Sequence, residues 1–77
     1  MLLEKLKKLI IQAPYNSVRK NILRQIQGEF VTAGKVNEQT FLASLLKSNR
    51  AIAHKSRDRE RVQIEYDILI ELGAKFP

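Results

Sequence analysis

"VQIEYDILIEL", residues 62–72, can be read in two ways, and the choice decides the fold. Val62, Ile64, Tyr66, Ile68, Ile70 and Leu72 alternate with Gln63, Glu65, Asp67 and Glu71, and only Leu69 breaks the rule. A period of two, rich in β-branched residues, is the pattern of a half-buried strand. The rest of the chain offers no second strand. A lone strand leaves its backbone N–H and C=O groups unpaired unless another chain supplies an edge. Read as a helix, the same residues cover a wide apolar arc, interrupted by Arg61 and Glu65. Such a helix lies at the centre of its bundle or is shared with a second subunit. The segments before it favour the helix, with an intermolecular strand as the open alternative. In either form the apolar excess points to a homodimer.

Those earlier segments are helical in period. "LLEKLKKLIIQA" places Leu2, Leu3, Leu6, Leu9, Ile10 and Ala13 at helical spacing, and Lys5, Lys8 and Gln12 face away. Pro14 ends this helix, and Asn16 or Ser17 caps the next. The second helix has Val18, Ile22, Leu23, Ile26 and Phe30 on one face, with Arg19, Lys20 and Arg24 on or beside the other. Gly34, in "TAGK", is free to take the positive φ that ends a helix. Asn37 caps a third helix, Glu38 favours its positive end, and Phe41, Leu42, Leu45, Leu46, Ile52 and Ala53 form its apolar face. A break follows near "HKSR", where Ser56 is placed to cap a fourth helix. Short connections fit antiparallel neighbours. The expectation is a small all-α bundle of three to four helices, one domain over residues 1–77, dimeric.

A chain of 77 residues supports one small core, worth rarely more than ~3–5 kcal/mol. Cysteine is absent, which excludes disulfides and thiolate metal sites. No apolar run approaches the ~20 residues that span a bilayer, and the lysines within the first apolar pattern do not fit a signal peptide. A cytoplasmic protein is expected.

The net charge is +6, unevenly spread. Residues 1–61 carry 13 Lys and Arg against 5 Asp and Glu, a net of +8; residues 62–77 carry 1 against 3, a net of −2. A basic body implies a polyanionic partner, nucleic acid before membrane. Lys5, Lys8, Arg19, Lys20 and Arg24 lie in a stretch with no acidic residue between Glu4 and Glu29. Packed as a hairpin, the first two helices would join these cations into one positive surface. "NRAIAHKSRDRER", residues 49–61, adds Arg50 and Lys55, which have no acidic neighbour in the preceding helix, and Arg59, which has no acidic partner at i,i+3 or i,i+4. Arg57–Glu60, Asp58–Arg61 and Arg61–Glu65 stand at i,i+3 or i,i+4 and would partly quench the run. The choice for this stretch is between a self-paired solvated surface and phosphate contact.

Tyr15 is read first as a hydrophobic staple or loop anchor and second as a platform on which a base stacks. One histidine, His54, without cysteine makes a poor metal site and reads as a surface residue at a helix end. The serines and threonines show no base arrangement for nucleophilic catalysis. Glu65, Asp67 and Glu71 read as unshielded surface carboxylates, open to a basic partner or a second subunit, rather than as acid–base catalysts. No glycine-rich phosphate loop exists, since the three glycines are isolated. Neither a cofactor nor a metal is expected.

Taken in order, "LLEKLKKLIIQA", "RKNILRQIQGEFVTAGK" with Leu23, Arg24, Glu29 and Gly34-Lys35, then Lys47 and Arg50, and "EYDILIELGAKFP" with Glu65, Leu69, Leu72 and Phe76-Pro77, resemble the first half of the GatB/YqeY family. That family comprises free-standing YqeY-like proteins and the tail of a subunit of the tRNA-dependent amidotransferase. The stretch between Arg50 and Arg57 is shorter than in the family, and the family pattern continues into a second helical subdomain. The resemblance therefore implies a half-length member that dimerises, an all-helical fold and a tRNA-binding tail without chemistry. The expected function is a non-catalytic module binding structured, tRNA-like RNA, with Lys5, Lys8, Arg19, Lys20, Arg24, Arg50, Lys55 and Arg59 on phosphates. The alternative is a protein-interaction module that dimerises through its C-terminal element and docks an acidic partner. An accessory role in amide-forming ligase chemistry rests on the family name alone.

Overall fold

Residues 62–71 are helical, and Leu72 is the C-cap. The computed structural model describes residues 1–34 and 36–76; Lys35 and Pro77, which the family resemblance uses, lie outside the described residues. Four helices follow in order: α1 Leu2–Gln12, α2 Val18–Ala33, α3 Glu38–Ile52 and α4 Arg59–Glu71. No strand occurs among the described residues.

Two neighbouring side chains on α4 show why the helix prevails. Leu69, the residue that breaks the alternation, is fully buried, while Ile70, which alternation would bury, is 46% exposed. Gln63, Asp67, Ile70 and Glu71 form the solvent face, at the spacing of a helix and not of a strand. The opposite side packs Val62, Ile68 and Leu69. The end of α4 is a Schellman turn: Gly73, at φ 95°, donates to the Ile70 carbonyl, and the Ala74 amide reaches the Leu69 carbonyl at 2.9 Å. Ala74 and Leu69 are both buried, which supplies the apolar contact that accompanies such turns.

The helix α4 packs chiefly on α3 and α2, and α2 in turn on α1. The core joins Leu2 and Leu6 of α1, Ile22, Leu23 and Ile26 of α2, and Leu42 and Leu46 of α3 to the buried face of α4. The apolar excess that argued for a homodimer is thus absorbed within one chain, apart from Ile70. Extents of 32 × 31 × 19 Å make the molecule a slab about two helices thick.

Caps mark most helix starts. The Ser17 hydroxyl accepts from the Lys20 amide at 3.1 Å, so Ser17 and not Asn16 caps α2; Asn16 turns the chain with φ 59°. Asn37 accepts from the Thr40 amide at 3.1 Å, as expected. Glu38 does more than favour its own helix: its Oε2 accepts from the Leu2 amide at 3.1 Å, capping α1 from the start of α3. Ser56 does not cap α4. Asp58 does, accepting from the Arg61 amide at 3.0 Å, while the Ser56 hydroxyl accepts from the Asp58 amide. Two expected core positions are also corrected. Ile52 is 48% exposed, because the buried stripe of α3 runs Leu42, Leu46, Asn49, and Val18 lies on the exposed first turn of α2.

Gly28 lies within α2, exposed, and a Cβ added there would meet nothing within 4 Å. Gly28→Ala is therefore expected to stabilise the fold by about 0.5–1 kcal/mol, raising Tm by roughly 2–8 °C in a thermal melt. An unchanged or lowered Tm would contradict the open surface at that point.

Candidate phosphate-binding surface

The expected basic residues divide into those the fold occupies and those it leaves free. Arg19 is occupied: its Nη2 lies 2.7 Å from Glu71 Oε2, the one ion pair among the described residues. This contact ties the start of α2 to the end of α4. Arg50 is occupied as well, donating from Nε and Nη2 to Asn49 Oδ1 at 3.0 and 2.7 Å, with its guanidinium 4.0 Å above the Tyr66 ring centroid.

Lys5, Lys8, Lys20, Arg24, Lys55 and Arg59 form no ion pair among the described residues. The hairpin of α1 and α2 forms, but its cations do not act as one set. Arg19 turns to α4, and Lys5 borders a separate hollow with Leu2, Glu38 and Leu72. Arg50 and Arg59, by contrast, are brought together. With Ala53, His54, Val62 and Gln63 they line a pocket of about 250 Å³ between the end of α3 and the start of α4.

The expected self-pairing of residues 57–65 does not occur. Arg57–Glu60, Asp58–Arg61 and Arg61–Glu65 are absent as ion pairs. Asp58 spends its carboxylate on the helix cap, Arg61 reaches across to Gln25 Oε1 at 3.2 Å, and Glu65 accepts from Asn49 at 2.8 Å. Asp67 and Glu71, expected as unshielded carboxylates with Glu65, are likewise engaged: Asp67 accepts from Gln63 at 2.9 Å and Glu71 holds Arg19. Tyr15 is 90% exposed, so it anchors nothing; the staple reading gives way to a free aromatic face in the turn between α1 and α2.

One polar residue central to this region went unnoticed in the sequence. Asn49 is 1% exposed and donates to the Val62 carbonyl at 3.1 Å and to Glu65 while accepting from Arg50. Its position in the Leu42, Leu46, Asn49 stripe was the available signal, since a polar residue at a core position needs buried partners. His54 is exposed in the turn after α3, as expected, but at the rim of a basic pocket. Among the described residues no cluster of His, Asp or Glu is placed to hold a metal, and no helix is long and apolar enough to cross a membrane. The chain matches no protein-family model, no curated protein and no solved structure with which it was compared.

Proposed function

We propose that the chain is a non-catalytic RNA-binding module of the cytoplasm that grips the phosphate backbone of a structured, tRNA-like partner. The observation that carries this reading is the missing self-pairing: Lys55, Arg57, Arg59 and Arg61 form no ion pair among the described residues. Exposed cations without counter-charges recruit a polyanion and release its counterions on binding. Lys5, Lys8, Lys20 and Arg24 extend the positive field, and Tyr15 offers a stacking face. The resemblance to the GatB/YqeY tail supports the same partner class.

Affinity for bulk tRNA is expected to fall steeply between about 50 and about 300 mM salt, by ~0.7–0.9 log units per log unit of salt for each phosphate contacted. A triple change of Lys55, Arg57 and Arg59 to Gln should lower that slope by about two such contacts or more, and Arg19→Gln by less than one. Absence of binding at about 50 mM salt would end the RNA reading. Ile70 and Phe76, both exposed at the C-terminal end, favour a second reading in which that end docks another copy or an acidic protein.

A further inference from the structure

We propose that the pocket between the end of α3 and the start of α4 is a discrete site for a phosphomonoester, held by Arg50 and Arg59. This rests on the phosphate-binding reading above and narrows it from a charged surface to one pocket. Three observations carry it. The six residues lining the pocket include two guanidiniums, an imidazole and an amide, and none is acidic. Arg50 is held in place before any ligand arrives, with its plane over Tyr66 and its Nε side on Asn49. A guanidinium has five N–H donors in a fixed fork, so these two bonds leave the Nη1 and Nη2 end with donors to spare for two phosphate oxygens. Arg59, the first residue of the 13-residue helix α4, lines the same pocket and forms no ion pair among the described residues.

The charge balance selects the ligand. A phosphate inside a strand carries one negative charge and continues in two directions. A terminal phosphomonoester carries about −1.5 to −2 and can enter a pocket end-on. Two guanidiniums match that dianion. The source is either the phosphorylated end of an RNA strand or a free nucleotide.

The test uses three labelled RNA oligomers of one sequence: one with a 5′ phosphate, one with a 3′ phosphate, and one with hydroxyls at both ends. One phosphorylated form is expected to bind about tenfold tighter than the hydroxyl form, as charge-assisted hydrogen bonds of this kind provide. Arg50→Lys, which keeps the charge but loses the fork, should reduce that preference to near one while leaving hydroxyl-ended RNA bound, and Arg59→Gln should remove the preference and also weaken all three oligomers by about one phosphate contact. Tyr66→Leu should lower the preference and Tyr66→Phe restore it, as the ring only positions Arg50. Competition by a nucleoside monophosphate would identify the free ester as a ligand; resistance to it would identify the strand end. Equal binding of all three oligomers would overturn the pocket while leaving the RNA-binding reading intact. Failure of every oligomer and of bulk tRNA to bind at about 50 mM salt would overturn both.

Discussion

Leu69→Ala is expected to destabilise the protein by about 3–5 kcal/mol, and Ile70→Ala by less than about 1 kcal/mol. Leu69 is fully buried within the core formed by all four helices, and its truncation opens a cavity that a packed interior fills only in part. Ile70 already has close to half its surface in water. A domain of this size holds little reserve, so Leu69→Ala should be largely unfolded at 25 °C, while Ile70→Ala should melt near the parent. Urea titration followed by far-UV circular dichroism would measure both. A strand would reverse the order, because alternation buries residue 70 and exposes residue 69. A larger cost at Ile70 than at Leu69 would therefore refute the helix.

Asn49→Leu should cost about 2–3 kcal/mol despite its similar volume and apolar surroundings. The change strips the half-buried Glu65 of its short donor and leaves Arg50 without its acceptor. The Val62 carbonyl loses least, since the helix can still use it. If the penalty comes from the stranded carboxylate, the double variant Asn49→Leu with Glu65→Leu will be more stable than Asn49→Leu alone. Additive losses at the two positions would show that the amide contributes through packing instead.

The all-helical class, four helices and most core positions were legible in the chain. Period, Pro14 and the Asn37 cap carry that information locally. At residues 62–72, which the sequence left open, a neighbouring signal went unused: Gly73, one residue past Leu72, is where a helix-ending glycine belongs. The candidate site was less legible. Arg19 and Glu71 stand 52 residues apart, and no spacing rule connects them. The i,i+3 and i,i+4 pairs within residues 57–65 were legible and did not form: capping took the Asp58 carboxylate, the buried Asn49 took that of Glu65, and Arg57 lies outside α4, where helical spacing to Glu60 does not apply. Exposed pairs are worth little, so stronger demands displace them. Helical spacing places charges correctly on a surface without revealing which tertiary partner claims them.

The turn at Gly73 and Ala74 also governs direction. By folding the last carbonyls of α4 back on themselves, it prevents the helix from running on as a straight rod. Lys75 and Phe76 leave along a new heading, away from the axis of α4. Any polypeptide joined at that point would depart as a separate arm. It would meet the bundle through whatever side chains it brought, and a rigid coupling through a continuous helix is closed to it.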